Sequence, residues 1–253
     1  MSLSFALINK CLHNKLSFYL YLHITIGNSF QCITTMTKVF AIEGNIAAGK
    51  STLLDLLAQK YVVFQEPLQD WQAVSGPDGQ VVNMFDIYCK DMQTYSFPFQ
   101  LITLQSIVNV LRKALATGEP FVFVERSFLS NLHVFTKAQK SMGFINEVEW
   151  IVYHNILTSM LPKADFEFAG IIYLKTSPSK CYHRIKQRNR KEENELSIRY
   201  LTELHKNHEK WLSEVDSRTV LIIDNDIEKY NSSDYENDIA RIKSFVSEMT
   251  AGD

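Results

Sequence analysis

The segment that most constrains this chain begins at Val39 and reads Val-Phe-Ala-Ile-Glu-Gly-Asn-Ile-Ala-Ala-Gly-Lys-Ser-Thr. An apolar run that favours a β-strand leads into a loop with glycines five residues apart, and Lys50 then opens a leucine-rich helical pattern. This order matches the phosphate loop G-x-x-x-x-G-K-[ST] in the strand–loop–helix setting that the motif requires. The segment therefore predicts binding of a nucleoside triphosphate rather than a chance glycine-rich turn.

The residue types of this loop suit a triphosphate. Glycine lets the backbone approach an anion, and the N–H groups at the start of the following helix face it with partial positive charge. Lys50 is predicted to reach the β- and γ-phosphates, and Ser51 to offer its hydroxyl to Mg²⁺, which needs only one or two protein ligands. The residues predicted to hold the nucleotide here are Gly44, Asn45, Ile46, Ala47, Ala48, Gly49, Lys50, Ser51 and Thr52.

Composition limits the remaining classes of function. The chain has 253 residues, of which 46% are hydrophobic, so it can bury one sizeable core. Its formal net charge of −2 gives no general affinity for nucleic acid or for an anionic membrane. The four cysteines have no C-x-x-C spacing, and they are interpreted as free thiols in a reducing compartment.

The first 36 residues differ from the rest and are interpreted as an extension. Residues 1–38 contain no Asp or Glu, and the apolar run near residues 16–26 is too short and too polar for a transmembrane helix. The alternatives are a poorly ordered segment, residues upstream of a functional start at Met36, or a targeting segment. A mitochondrial presequence is usually rich in arginine, and there is no arginine before Arg112.

Strand and helix patterns alternate along residues 37–253, which indicates one α/β domain. Apolar runs predict strands from Val39 and over residues 61–65, 121–124, 170–174 and 219–223. Helical patterns cover residues 51–60, 82–93, 97–117, 128–140, 146–161, from Pro178, 197–215 and 233–249, while 68–81 is predicted as a loop. Five strands alternating with helices predict a parallel sheet with both faces covered.

Charged residues follow two of these strands at the edge where α/β sheets bind ligands. Glu66 follows the second strand, and Glu125 and Arg126 follow the third. Phosphoryl transfer needs positioning, a base for the acceptor hydroxyl and positive charge around the moving group. Glu66 is therefore predicted to accept the acceptor's proton, Glu125 to hold Mg²⁺ directly or through water, and Arg126 to position the reactants.

A third charged cluster contains Arg184, Arg188 and Arg190, and its first two members share a helix face. These arginines are predicted to close as a lid over the phosphates. Each cluster also has a structural alternative, namely a surface carboxylate, an ion pair or a solvated charged helix. The phosphate loop on the same chain favours the functional interpretation. The predicted catalytic residues are Glu66, Arg126, Lys50, Arg188 and Arg190, and Arg184 and Arg188 are also assigned to the nucleotide.

Several motifs in one order make the chain resemble the deoxyribonucleoside kinase family from about residue 37 to 249. They are the phosphate loop at 44–51, Glu66-Pro67 with Trp71, the segments 95–100 and 125–127, the arginine-rich run 184–193, and the segment 200–212. The resemblance implies a P-loop kinase fold with an arginine-rich lid, ATP as phosphate donor, Mg²⁺, and a homodimer formed through helices. It implies transfer of phosphate to the 5′-hydroxyl of a deoxyribonucleoside.

The resemblance also implies roles in the acceptor site. Glu66 matches the general base, Tyr88 and Glu193 match the pair that holds the sugar 3′-hydroxyl, and Gln100 matches the glutamine that reads the base. A glutamine amide can pair with either pyrimidine, because rotation exchanges its donor and acceptor. The residues assigned to the acceptor are Glu66, Leu68, Trp71, Tyr88, Phe99, Gln100, Ile107, Arg126, Asn131, Phe135 and Glu193.

The chain departs from the family at two of these positions. Deoxycytidine and deoxyguanosine kinases carry an arginine and an aspartate where this sequence has Ile107 and Asn131. An apolar Ile107 leaves room for a thymine methyl group, so pyrimidines are favoured, although Asn131 leaves purines open. The alternatives are a nucleoside monophosphate kinase and a nucleotide-dependent switch. The chain has no N-K-x-D or D-x-x-G motif, which argues against the switch. The expected compartment is the cytoplasm, with the mitochondrion as the alternative.

Overall fold

A computed structural model describes residues 37–161, 167–229 and 231–251. The predicted extension over residues 1–36 lies outside the described residues. The predicted helix 146–161 is described in full, and the strand predicted at 170–174 lies within the second described range.

A five-stranded parallel sheet forms the centre of the domain, as predicted. Its strands are β1 Lys38–Gly44, β2 Val63–Phe64, β5 Phe121–Glu125, β6 Gly170–Lys175 and β7 Val220–Asp224, in the spatial order β2-β5-β1-β6-β7. The register pairs Phe40 with Phe123 on one side and with Gly170 on the other. The carboxyl ends of all five strands therefore lie at one edge of the sheet.

Helices connect these strands. The α-helices are α1 Lys50–Leu57, α2 Leu68–Gln72, α3 Met84–Lys90, α4 Met92–Leu115, α5 Phe128–Ser130, α6 Lys137–Ser141, α7 Glu147–Met160, α8 Pro178–Arg188, α9 Ile198–Ser213 and α10 Glu236–Thr250. A π-helical turn spans Asn131–Thr136, and 3₁₀ turns span Lys191–Glu193, Ser217–Thr219 and Ser232–Tyr235.

Alternate residues of β1 face two different hydrophobic clusters, which confirms that helices cover both faces of the sheet. Phe40 and Ile42 belong to a cluster with residues of α1, α8, α9 and α10. Val39 and Ala41 belong to a second cluster with α4 and α7. Because side chains alternate along a strand, the two clusters lie on opposite faces. The near-continuous apolar sequence of β1 follows from this burial on both sides.

The prediction of a loop over residues 68–81 is wrong, because this segment contains a short helix and a β-hairpin. Residues Leu68–Gln72 form the short helix α2, and β3 Val74–Ser75 pairs with β4 Val81–Val82 in an antiparallel hairpin. The turn signal Ser-Gly-Pro-Asp-Gly is correct, but it closes a hairpin: the Gly76 N–H donates to the Gln80 carbonyl at 2.8 Å. The helix predicted at 97–117 begins earlier, at Met92, where the Asp91 side chain caps it.

Two predicted helices are interrupted. The segment 128–140 contains the π-helical turn Asn131–Thr136 between α5 and α6. Helix α8 ends at Arg188 because Asn189 adopts a left-handed conformation with φ 49°, so the arginine run is not one continuous helix. Within the described residues, no helix combines the length and the apolar character needed to cross a lipid bilayer.

Candidate active site

A cavity of about 670 Å³ lies at the carboxyl edge of the sheet. It is lined by residues that follow β1, β2, β5 and β7, including Ser51, Glu66, Arg126 and Asn225. Its volume falls in the range of small-molecule sites, which are typically about 300–1,000 Å³. The cavity has a phosphate-loop half and an aromatic half, and one set of charged residues lies between them.

The phosphate loop adopts conformations that explain its glycines. Gly49 has φ 96°, and a Cβ there would lie 2.8 Å from the Asn225 Nδ2 atom. Gly44 has φ 150°, and its Cβ would lie 2.9 Å from the Leu174 carbonyl oxygen. The Lys50 ammonium donates to the carbonyls of Gly44 at 3.3 Å and Asn45 at 2.9 Å. The loop therefore holds its lysine at the start of α1, beside the cavity.

Six of the nine predicted loop residues line the cavity: Ile46, Ala47, Gly49, Lys50, Ser51 and Thr52. The other three residues form hydrogen bonds that hold the loop in place. The Asn45 side chain donates to the Leu201 carbonyl at 2.9 Å, the Ala48 carbonyl accepts from Asn225 at 2.6 Å, and the Gly44 carbonyl accepts from Lys50 and Arg126.

The charged residues at the centre are brought together as predicted. The Arg126 Nε atom donates to the Glu66 Oε1 atom at 2.5 Å, and its Nη1 atom donates to the Gly44 carbonyl at 3.0 Å. The guanidinium also lies 4.4 Å from the centre of the Phe135 ring. Glu125 accepts from the Ser51 hydroxyl at 3.2 Å and from the Glu66 backbone N–H at 3.3 Å. These contacts connect the ends of β2 and β5 to the phosphate loop.

Arg126 occupies this position with a left-handed backbone. Its φ is 65°, and its N–H donates to the Ile42 carbonyl at 3.0 Å, in continuation of the β1–β5 pairing. A non-glycine residue in this region carries a steric cost of about 1–3 kcal/mol. The turn directs the guanidinium back across the end of the sheet toward Glu66.

Burial shifts the pKa values of the charged groups at this centre. Burial and the nearby Glu66 carboxylate raise the pKa of Glu125. Burial, assisted by the Arg126 charge, lowers the pKa of Lys50 to about 8. Burial opposes the charge on Arg126, but Glu66, Glu43 and Glu125 together raise its pKa above the ordinary value. Arg126 therefore stays charged between the two halves of the cavity.

The donor atoms at the edge of the phosphate loop suit a hard divalent cation. The Ser51 hydroxyl lies 3.2 Å from both carboxylate oxygens of Glu125, and Mg²⁺ prefers such oxygen ligands. No group of three or more His, Cys, Asp or Glu side chains of metal-site type occurs in the described ranges 37–161, 167–229 and 231–251. Mg²⁺ usually keeps several waters and takes further oxygens from the nucleotide, so two protein ligands are enough.

The other half of the cavity is aromatic. The rings of Tyr88 and Phe99 stack with centres 4.1 Å apart, and Phe85 is also stacked with Phe99 at 5.8 Å. Trp71 packs edge-on against Phe99 and donates its Nε1 hydrogen to the Ser106 hydroxyl at 2.7 Å. Phe85 was not among the predicted residues. All four rings line the cavity, which suits a flat ligand group.

Gln100 lies in this half beside a buried amide. The Asn131 Nδ2 atom donates to the Gln100 Oε1 atom at 2.8 Å and to the Thr103 hydroxyl at 2.8 Å. Ile107 lies two turns after Gln100 on α4 and also lines the cavity. Thr103 was not among the predicted residues, although its position three residues after Gln100 on a helix indicates that the two share a face.

The predicted sugar-binding pair is present, but its two members have other partners. The Tyr88 hydroxyl bonds to that of Tyr200 at 3.0 Å and accepts from the Gln139 amide at 2.7 Å. The Glu193 carboxylate accepts from Arg188, and from Arg190 at 2.9 Å. Both residues line the cavity, so they remain available to a ligand that enters it. Leu68 also lines it.

The three predicted lid arginines line the same cavity. The Arg184 Nη2 atom donates to the Asn225 carbonyl at 3.1 Å, whereas its buried Nη1 atom has no hydrogen-bond partner among the described residues. The carboxylate of Glu192, beside the lid, accepts from Gln72 at 2.9 Å and from Asn83 at 3.1 Å. The segment that carries these arginines is thereby connected to α2 and to the residue that precedes α3.

The end of β7 contributes residues that the sequence analysis missed. Asn225, Glu228, Lys229 and Tyr235 line the cavity beside the phosphate loop. The Lys229 ammonium donates to the Asn225 Oδ1 atom at 2.6 Å and lies 5.0 Å from the centre of the Tyr235 ring. The available signal was topological, because the fifth strand of a parallel sheet ends at the same edge as the others. The remaining lining residues that were missed are Gln65, Gln187, Leu196 and Tyr200.

A buried carboxyl group lies close to the charged residues at the centre of the cavity. Glu43 on β1 is fully buried, accepts from the Ser127 hydroxyl at 2.6 Å, and has no partner for its Oε2 atom in the part of the chain that the structure describes. Burial raises its pKa to about 7, although the Ser127 hydrogen bond and the Arg126 charge oppose that shift. Glu43 is therefore neutral in the fold at acidic pH, unlike an exposed glutamate.

This shift predicts a pH-dependent stability. Because the folded pKa lies above the unfolded one, the contribution of neutral Glu43 is complete below about pH 4.5 and is lost as the pH rises through about 7. Replacing Glu43 with glutamine should remove this loss, which amounts to about 3 kcal/mol. We expect the free energy of unfolding of Glu43→Gln, relative to the unmodified chain, to rise between pH 5 and pH 8.

Urea unfolding at several pH values measures this difference. Glu119→Gln, at an exposed position, is the matched control and should show no such trend. A stability difference for Glu43→Gln that stays constant from pH 5 to pH 8 would contradict the prediction. Burial of His208 lowers its pKa to about 3 and produces the opposite slope in both proteins, so it cancels in the comparison.

The site combines a phosphate loop at the edge of a parallel sheet with a carboxylate–arginine pair beside it. Together with the aromatic half of the cavity, these features define a P-loop phosphotransferase that acts on a flat small molecule. The model of the deoxynucleoside kinase family matches residues 40–247, and the chain belongs to this family. It is an ATP-dependent deoxynucleoside kinase. The two alternatives, a monophosphate kinase and a nucleotide-dependent switch, are set aside by this membership.

Individual relatives cover most of the chain. A probable deoxycytidine kinase of fowlpox virus (strain NVSL) is 37% identical over 84% of this chain and 89% of its own length. The mitochondrial deoxyguanosine kinase of Xenopus laevis is 34% identical over 70% of this chain and 73% of its own. Human deoxycytidine kinase is 30% identical over 85% and 93%, respectively. The relatives thus include kinases named for a pyrimidine and for a purine nucleoside.

Proposed function

We propose that this kinase prefers pyrimidine deoxyribonucleosides, with deoxycytidine and thymidine as its acceptors. The proposal rests on the uncharged side chains around Gln100. Ile107 is apolar and 5% exposed, and Asn131 is neutral and 3% exposed, so this end of the cavity contains no charged pair to hold a purine edge. Gln100 is then the main polar group that a base meets there, and one amide pairs well with a pyrimidine edge.

In the proposed reaction, Glu66 removes the proton of the 5′-hydroxyl as that oxygen attacks the γ-phosphorus of ATP, and the bond from this phosphorus to the β,γ-bridging oxygen breaks to release ADP. Arg126 holds the Glu66 carboxylate by its 2.5 Å hydrogen bond and presents positive charge to the phosphoryl group. Lys50 and the loop N–H groups hold the β- and γ-phosphates. Arg184, Arg188 and Arg190 close over the same oxygens, which requires Arg188 and Arg190 to exchange Glu193 for phosphate.

Mg²⁺ bound by Ser51 and Glu125 would neutralise charge on the phosphate oxygens. In the acceptor half, Tyr88 and Glu193 are proposed to bind the 3′-hydroxyl of the sugar. Trp71, Phe99 and Phe135 are proposed to surround the base, with Leu68 beside them. These assignments place donor and acceptor on opposite sides of the pair Glu66–Arg126.

The homodimer and the cytoplasmic location also remain proposals. Exposed apolar residues on α7 support a helical interface, since Val148 is 70% exposed and Ile151 is 54% exposed. Sedimentation of the purified chain as a monomer at micromolar concentration would contradict the dimer. The free thiols of Cys89 and Cys181 support a reducing compartment such as the cytoplasm, and mitochondrial localisation of a tagged full chain would contradict this proposal.

The test is a coupled assay of the purified chain with ATP and each of the four deoxyribonucleosides, with dCMP and dTMP as further acceptors. We expect the highest kcat/KM for deoxycytidine or thymidine and lower values for both purines. A reaction without an acceptor controls for ATP hydrolysis. A higher kcat/KM for deoxyguanosine or deoxyadenosine than for both pyrimidines would overturn the proposed preference.

A further inference from the structure

A network of uncharged side chains fixes the amide of Gln100. The buried Tyr153 hydroxyl on α7 donates to the Asn131 Oδ1 atom, and the Asn131 Nδ2 atom donates to the Gln100 Oε1 atom at 2.8 Å. Tyr153 is 0% exposed and does not line the cavity. Its hydrogen bond to Asn131 therefore connects it to the acceptor half.

The direction of each hydrogen bond in this network follows from the protons available. The Thr103 hydroxyl donates its one proton to the Gln100 backbone carbonyl at 3.0 Å, so its oxygen accepts from Asn131. The Tyr153 proton goes to the other end of the Asn131 amide. Both hydroxyls thus select one orientation of Asn131, with its nitrogen toward Gln100. That nitrogen requires an acceptor, so Gln100 must turn its oxygen toward it.

The nitrogen of Gln100 is left for a ligand. Its Nε2 atom donates to no residue in the described ranges, and Gln100 lines the cavity. A base meets a fixed order of groups: a carbonyl oxygen at the Asn131 end and an amide N–H beside it. Rotation of the Gln100 amide by a half-turn would place two N–H donors against each other and break the 2.8 Å bond.

The two pyrimidines require opposite orders. Cytosine presents an acceptor at N3 and a donor at its amino group, whereas thymine presents a donor at N3 and an acceptor at O4. A freely rotating glutamine serves both, but a fixed one favours the base whose order matches. We propose that Tyr153 is a positioning residue that sets the discrimination between deoxycytidine and thymidine through Asn131 and Gln100. This inference rests on the proposed placement of the base against Gln100.

The test compares kcat/KM for the two nucleosides in the unmodified chain and in Tyr153→Phe. A mismatched hydrogen bond costs about 1–3 kcal/mol, so we expect a ratio of about 5- to 150-fold in the unmodified chain. Tyr153→Phe should move that ratio toward one by about three- to tenfold and leave KM for ATP unchanged. Tyr173→Phe is the matched control, because it removes a buried tyrosine hydroxyl that bonds to Glu209, remote from the network.

Asn131→Asp provides an independent test if Tyr153→Phe is poorly folded. In Asn131→Asp the new carboxylate only accepts, so Gln100 must turn its nitrogen toward it and present its oxygen to the base. We expect this variant to reverse the preference between deoxycytidine and thymidine. Thermal unfolding of all three variants identifies any loss of structure before kinetics are compared.

The outcomes separate the inference from the proposed function. A ratio near one in the unmodified chain overturns the inference, as does an unchanged ratio in a folded Tyr153→Phe or, where that variant is misfolded, in Asn131→Asp. Equal shifts in Tyr153→Phe and Tyr173→Phe would also overturn it, because the effect would then be a general consequence of losing a buried hydroxyl. Failure of the proposed function has a different signature, namely a purine preference in the unmodified chain.

Discussion

Replacing Glu66 with glutamine is expected to lower kcat by about 10²–10⁴-fold, the usual contribution of a general base. The substitution keeps the shape of the side chain and retains an oxygen to accept from Arg126, which donates to Glu66 at 2.5 Å in the unmodified chain. It removes the negative charge of the side chain and, with it, the proposed ability to take up the proton of the 5′-hydroxyl. ATP binding, measured by titration calorimetry without acceptor, should therefore change little.

Asp70→Asn is the matched control for this variant. Asp70 is an exposed carboxylate on α2, four residues further along, and its neutralisation makes the same change in net charge. We expect kcat to remain near that of the unmodified chain. Unchanged turnover in Glu66→Gln would remove Glu66 from its proposed role, whereas loss of ATP binding would indicate that the residue supports the phosphate loop instead.

The double variant Ile107→Arg with Asn131→Asp is expected to shift preference toward purines. The new carboxylate would pair with the new guanidinium at the base end of the cavity, which offers charged donors to purine acceptors and fills the space open to a thymine methyl group. Hydrogen bonds to charged groups contribute about 1.5–3 kcal/mol, so the ratio of kcat/KM for deoxyguanosine over thymidine should rise about 10- to 150-fold.

Two controls separate charge from volume in this experiment. Ile107→Met provides a long neutral side chain and should leave the purine-to-pyrimidine ratio near its original value. Ile107→Arg alone introduces a buried charge without its partner, and we expect a loss of stability rather than a gain in purine use. An unchanged ratio in the folded double variant would show that positions 107 and 131 do not contact the base.

The sequence predicted the parts of the site that depend on local order along the chain. Glycine spacing identified the phosphate loop, and the apolar runs before Glu66 and Glu125 placed both carboxylates at one edge of the sheet. Those features could be predicted because parallel strands end together whatever their neighbours are. The structure brings Ser51, Glu66, Glu125 and Arg126 into hydrogen-bond contact, as expected from that rule.

The features that the sequence did not predict depend on long-range packing. Tyr153 and Asn131 are 22 positions apart, and nothing in their local patterns indicates that they bond. The π-helical turn at Asn131–Thr136 directs that asparagine inward, yet the hydrophobic pattern there is that of an ordinary helix. Glu43 lies within an apolar strand, where its burial was not recognised as a source of a raised pKa.

The left-handed backbone at Arg126 has a consequence for engineering and for natural variation. Glycine would adopt φ 65° without the steric cost, so Arg126→Gly relieves local strain while it removes the guanidinium between donor and acceptor. A screen that rewards thermal stability alone would register only the balance between this relief and the lost hydrogen bonds to Glu66 and Gly44, and it would miss the expected loss of turnover. Directed evolution of this enzyme needs selection for turnover whenever residue 126 is free to change.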